Sequence, residues 1–293
     1  MTGRLTRLYP AGYRAAYGAE IAATHRELTA GLGRVARWRA DAELAGHAVR
    51  VRLGLDAAAP GGRLLACAAP FALAAGAVVG ALEITRWYTG LVVSPAPASL
   101  LLITLDPGWA LHLLCSLLLC VGAVVALTGH RRAGVAAVVC GQLGTVALWP
   151  VVGEVRGGGV VVPVVALLTA LVVPAAPGDL PPEPDTVVAA GVVAGAGWFP
   201  VAAVGTGGFP VSTEYGAWPL LVLAGTALVL AVRRGSPGLY EVAAVLPASL
   251  PLIGRAYQDA WQEWPPVLGL WLVLPLALGC AALVRGVRAR RLR

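Results

Sequence analysis

Apolar positions in this chain form long unbroken runs after residue 63 and recur at helical spacing before it. A helix that crosses about 30 Å of hydrocarbon needs about 20 residues. Runs that reach or approach this length lie at 64–82, 109–128, 133–153, 158–176, 187–204, 217–232, 239–254 and 265–284. The first three and the last are the most continuous. The fifth is rich in glycine, the sixth is short, and the seventh carries Pro247 and Pro251, so six or seven spans is the alternative count.

Residues 1–63 follow a different pattern. Pro10 suits the first turn of a helix, after which Tyr13, Tyr17, Ile21 and Leu28 recur close to helical spacing on one face. Gly31-Leu32-Gly33 breaks the pattern. A second helix from about Arg34 to Leu55 carries Val35, Trp38, Ala42, Ala45 and Val49 on one side, and Ala57 to Gly62 reads as a linker. The pattern therefore predicts an all-α chain. A helical hairpin occupies 1–63, and a polytopic transmembrane helix bundle of about eight spans occupies 64–293. A hairpin this small is not stable alone. Its apolar stripes must pack on each other, on the inner membrane surface or on another protein.

Composition and charge sharpen this picture. With 58% hydrophobic residues, 13% charged residues and a mean hydropathy of +0.77, the chain is not an ordinary soluble domain. Its net charge of +7 would suggest nucleic acid in a soluble protein. Here the charge is better explained by the bias that keeps basic loops on the cytoplasmic side, so no nucleic-acid partner is expected. Nineteen of the 22 basic residues, all arginine, fall within 1–63, in Arg131-Arg132, in Arg233-Arg234 and in the tail from Arg285 to Arg293. Placing these segments inside gives both termini to the cytoplasm of a multi-pass cell-membrane protein. It leaves Arg86, Arg156 and Arg255 in outer loops with Glu83, Asp106, Glu154, Glu214, Asp259 and Glu263. The one discordant loop is 177–186, which is inside yet acidic. Trp87, Trp109, Trp149, Trp198, Trp218, Trp261 and Trp264 fall at or near the outer boundaries, as an interfacial aromatic belt would. No cleavable signal peptide is expected, so the span from Leu64 would act as a signal anchor.

Candidate chemistry is sparse. Cys67, Cys115, Cys120, Cys140 and Cys280 all fall in predicted spans and read as small buried residues rather than a zinc or disulfide framework. Glu43 and His47, four apart in the hairpin, are two possible ligands, and two do not make a metal site. No cofactor is expected, and no phosphate-binding G-x-x-x-x-G-K-[ST] loop is present. His112 is the one histidine placed inside a span, and an intramembrane ionisable residue is by default a functional candidate. Gln142 in the next span is positioned to hydrogen-bond it, and Ser116 shares its helix face. No carboxylate is expected inside any span, so catalysis is not expected. Prolines inside the spans, among them Pro70, Pro150, Pro163 and Pro174, allow either kinks around a cavity or a packed bundle. The stretch from Arg255 to Trp264 is expected as an outer loop that lies in the interface or closes over such a cavity.

The stretch Arg7-Leu8-Tyr9-Pro10-Ala11-Gly12-Tyr13-Arg14-Ala15-Ala16-Tyr17-Gly18-Ala19-Glu20 resembles the pattern L-Y-P-x-x-[WY]-R-x-x-[YFH]-G-x-E at the start of many bacterial membrane proteins. Some of these are permease-like. Others are actinobacterial membrane proteins often encoded near PadR-type transcriptional regulators. The resemblance covers about 25 residues and does not extend to a transport core. It implies a cytoplasmic prefix with a regulatory or docking role and supplies no catalytic residues. Within the motif, Pro10 would start the helix, Tyr13 and Tyr17 would pack, and Arg14 would pair with a nearby acid. Gly18 inside a helix costs about 1 kcal/mol relative to alanine, which points to a close contact there. The expected function is a non-enzymatic sensor or accessory component of the membrane that docks a cytoplasmic protein through residues 1–56. The alternative is a transporter or an ABC-type permease subunit moving a small or amphipathic substrate.

Overall fold

The computed structural model describes residues 5–103, 105–156, 160–206, 214–234 and 242–259. The predicted span 265–284, Cys280, the belt residues Trp261 and Trp264 and the basic tail lie outside the described residues. All regular structure among the described residues is helical. A 3₁₀ turn at Thr6–Leu8 precedes α1 (Ala11–Thr29), α2 (Arg34–Leu53), α3 (Pro60–Val93), α4 (Ala98–Ile103), α5 (Pro107–Leu127) and α6 (Arg131–Arg156). Then come α7 (Val161–Ala175), α8 (Pro184–Thr206), α9 (Glu214–Arg234), α10 (Val245–Ala248) and α11 (Leu250–Asp259). The chain divides into two compact units, Met1–Arg63 with Ala175–Leu180, and Leu64–Pro174 with Pro181–Arg293.

In the first unit α1 and α2 form a hairpin whose turn uses Gly31 at φ 80°. Glycine reaches that left-handed region without a Cβ penalty. The hairpin is tied by aromatic and polar contacts rather than by the predicted stripes. Tyr9 is buried, stacks on Tyr13 with ring centroids 5.3 Å apart, and meets His47 Nδ1 through its hydroxyl at 2.8 Å. Burial pushes the Tyr9 phenol above its ordinary range; Tyr13 adds to this and Arg50 opposes it, so the ring stays neutral. His25 Nε2 lies 3.1 Å from Asp41 Oδ1 and joins the two helices further along. Tyr13 also contacts Tyr17, whose side chain is half exposed. Leu28, Val35, Trp38 and Val49 are exposed, Trp38 at 71%. The stripes therefore do not pack on each other. The close contact expected at Gly18 comes from its own helix, where a Cβ would lie 3.1 Å from the stem of Arg14. Arg14 itself is exposed.

In the second unit, α3, α5 and α6 are long and apolar enough to cross a membrane, and α7 and α9 are shorter apolar helices. Helix α3 is the central one: 61% of its apolar window is buried, against 39% for α5 and 22% for α6. Phe71, Ala72, Ala75 and Val78 of α3 meet Leu119 and Ala123 of α5, Val193 of α8, Leu223 and Ala227 of α9 and Leu252 of α11 in one core. The prolines Pro70, Pro150, Pro174 and Pro219 lie inside continuous helices.

Two predicted loops are instead helical. The region expected as an outer loop from residue 83 continues α3 to Val93, giving 34 residues and a length of about 51 Å. Thr85, Arg86 and Thr89 stand between Ile84 and Leu91, and the hydroxyls of Thr85 and Thr89 donate back to carbonyls of Ala81 and Thr85. Nothing breaks the helix before Ser94 and Pro95. The expected outer loop from Arg255 is α11 up to Asp259. The seventh predicted span is divided into α10 and α11 at Ser249. Helix α3 also begins at Pro60, inside the predicted linker.

Helices α5 and α6 make the closest pair. Asp106 caps α5, its Oδ1 accepting from the backbone N–H of Gly108 at 2.8 Å and of Trp109 at 3.3 Å, with Pro107 at the first helical position. Thr128, Gly129 (φ 108°) and His130 turn the chain into α6. Across the pair a Cβ on Gly122 would sit 2.9 Å from the Gly134 carbonyl oxygen, and one on Gly134 would strike the backbone of Gly122 and Ala126. Small residues permit this backbone approach. Gly134→Val is therefore expected to destabilise the full-length protein by about 1–3 kcal/mol or more. Gly191→Ala, where a Cβ meets nothing within 4 Å, is expected to be neutral or stabilising. Thermal unfolding in detergent separates the two.

Candidate functional site

The site follows from one close approach. A Cβ on Gly80 would lie 2.6 Å from the Ser116 carbonyl, so only glycine lets α3 and α5 touch there. One turn away in one direction, Cys120 Sγ donates to the Ala77 carbonyl at 3.4 Å. One turn away in the other, Glu83 faces His112, with Oε2 3.6 Å from Nε2. Steps of three residues up α3 match steps of four residues down α5, the spacing at which residues share a helix face. Glu83 is thereby held against α5 by backbone geometry.

Helix α11 brings the third member. Gly254 backs onto Val165 of α7, where a Cβ would lie 2.9 Å from Cγ1, and the next residue, Arg255, pairs through Nη1 with Glu83 Oε1. Glu83, His112 and Arg255 are 4%, 5% and 5% exposed. A carboxylate this far from water requires a cationic partner, and Arg255 supplies one. Trp109 stands edge-on to the His112 ring at 5.9 Å. A cavity of about 60 Å³ opens beside the three side chains, bounded also by Ser116, Gln142, Thr145, Trp149 and Thr169. That volume has room for on the order of four water molecules.

The cavity wall has a defined polarity. Ser116 Oγ donates to the His112 carbonyl at 3.1 Å, Thr145 Oγ1 to Gly141 at 3.0 Å and Thr169 Oγ1 to Val165 at 2.8 Å. Each hydroxyl therefore turns its lone pairs toward the cavity. Because its proton is directed to a backbone carbonyl and His112 Nε2 faces Glu83, Ser116 is not arranged as a nucleophile activated by His112. No cluster of three or more His, Cys, Asp or Glu side chains suited to a metal occurs among the described residues.

Three residues singled out from the sequence, His112, Ser116 and Gln142, are all buried and border this one cavity. The other three, Tyr13, Arg14 and Tyr17, belong to the first unit and have no part in it. Glu83, one residue beyond the predicted span 64–82, lies within α3, which is long and apolar enough to cross a membrane. Arg255, expected in an outer loop, is buried in α11. Both escape a reading of the sequence because each sits where a long apolar run ends.

The fold and the cluster together define a class: a chain whose described residues are all-helical, with long apolar helices as in a membrane protein and buried ionisable side chains. Comparison with protein-family models, with curated proteins and with solved structures gives no match.

Removing one partner of a buried pair strands the other, at a cost of about 3–5 kcal/mol, whereas replacing both with apolar residues is near neutral. Glu83→Met is therefore expected to lower stability by that amount, and adding Arg255→Met to restore most of it. Denaturant unfolding of the full-length protein checks this; equal losses in the single and double variants would show that the two charges are independent.

Proposed function

We propose that the protein is a multi-pass component of the cell membrane, with about eight spans and both termini in the cytoplasm, acting as a non-enzymatic sensor or accessory subunit. The observation that carries the reading is the Glu83–His112–Arg255 cluster around a small cavity. Ionisable groups inside a membrane bundle are costly and mark function. A cavity of about 60 Å³ suits a small ligand or ion, while a drug-sized substrate fills roughly 300–1,000 Å³. Trp109 and Trp149, read as outer-boundary residues, flank His112 and the cavity, so the cluster would report on the outer side. The hairpin at residues 1–56, with Tyr17, Leu28, Val35 and Trp38 exposed, would dock a cytoplasmic protein.

The second reading is a transporter or ABC-type permease subunit. The same intramembrane charges favour it, since ion pathways are built from such groups.

An affinity pull-down in mild detergent from the native host separates the readings, using the full chain and a version lacking residues 1–56. Docking predicts a partner captured by the full chain and lost with the deletion, and lost equally on Trp38→Glu. Identical proteins with and without the hairpin would count against a docking role. Recovery of an ATPase subunit would favour the permease reading.

A further inference from the structure

Helix α2 has two apolar faces. Leu44, Ala48 and Val51 form one, which is wholly or partly buried. Val35, Trp38, Val49 and Leu53 form the second at helical spacing, and are 69%, 71%, 50% and 65% exposed. At 3.6 residues per turn, exposed Arg34 and Arg52 fall along one border of this second stripe and exposed Arg39 along the other. The acids of α2 lie outside the stripe: Asp41 is turned to His25, and Glu43 falls beyond Arg39. The exposed face of α1 that carries Ala16 and Ala23 holds Glu20 and Glu27 instead.

The stripe also has a defined place in the chain. Gly54 ends α2 at φ 64°, and a Cβ on Gly61 would lie 2.7 Å from the Gly54 carbonyl oxygen. The Leu53 end of the stripe therefore lies at the first turn of α3, whose apolar run begins at Leu64. Resting on the reading that gives this hairpin to the cytoplasmic side, we infer that the second face of α2 binds the anionic lipid surface of the inner leaflet. Val35, Val49 and Leu53 enter the acyl boundary, Trp38 sits at headgroup level, and the bordering guanidiniums reach lipid phosphates. Arginine on both borders and acids on the outer face of α1 set which side of the hairpin meets the negative surface. A protein that docks on this face must displace the lipid, so anionic lipid restrains partner capture.

The test places the photo-crosslinking residue benzoylphenylalanine at Val49 of the full-length protein, or at Ala23 on α1 as a control. Nanodiscs of phosphatidylcholine are compared with discs in which about a third of the lipid is phosphatidylglycerol. Mass spectrometry after illumination counts lipid adducts. Adducts at position 49 are expected to be roughly fivefold or more enriched by the anionic lipid, the gain that one arginine near such a surface supplies. They are expected to fall to the neutral-disc level in about 1 M salt, where the screening length is about 3 Å. Position 23 should give few adducts in either disc. Replacing the three exposed arginines together, Arg34→Gln, Arg39→Gln and Arg52→Gln, should remove most of the enrichment. Equal adducts with and without anionic lipid, enrichment that survives the triple substitution, or no excess at position 49 over position 23 would overturn the proposal. Partner capture keeps the two claims apart: capture without lipid adducts at position 49 refutes the lipid face alone, and lipid adducts without capture refute docking alone.

Discussion

A carboxylate held away from water must meet a cation, and at Glu83 that requirement joins three helices. The residue sits on α3, the most buried long helix, and reaches His112 on α5 and Arg255 on α11. Its position is fixed by Gly80 one turn earlier, where the absence of a side chain lets α3 approach the Ser116 carbonyl. Loss of the ion pair would leave an uncompensated charge among Val79, Leu119 and Val165, the apolar part of the same cavity wall. The small-residue packing and the charge cluster are therefore one arrangement: the first sets the helix spacing, and the second is possible only at that spacing.

Helical character and three helices long and apolar enough to cross a membrane were legible in the sequence because the thickness of hydrocarbon sets the length of an apolar run. His112, Ser116 and Gln142 were legible because a polar side chain inside such a run interrupts it and must be kept from lipid by neighbouring helices. Glu83 and Arg255 were not. At the end of a run a charge is ordinary, and a pair formed between residues far apart in the chain leaves no local pattern. The same limit applies to the hairpin. Spacing foretold α1 and α2 and the contact of Tyr13 with Tyr17, but not Tyr9, which lies before the helix and is buried against Tyr13 and His47. The residues of the expected stripes, Leu28, Val35 and Trp38, face outward.

The two units divide the chemistry between them. The first carries neutral aromatic contacts within and exposed apolar side chains without, the composition of a surface that meets another molecule. The second buries Glu83, His112 and Arg255 and presents apolar side chains such as Leu114, Leu117, Val121 and Val124 along α5 outward, as a helix against lipid would. The proposed role assigns sensing to the cavity and docking to the hairpin.

The central claim is that Glu83 and Arg255 form a contact pair inside the bundle. Carbon–nitrogen dipolar recoupling by solid-state NMR, with the protein in lipid bilayers and the glutamate carboxyl and arginine guanidinium groups labelled, tests it directly. A cross-peak between Glu83 and Arg255 corresponding to contact within about 4 Å, absent in Glu83→Gln, is the predicted result. No coupling between them, with the Arg255 guanidinium exchanging freely with water, would contradict the account.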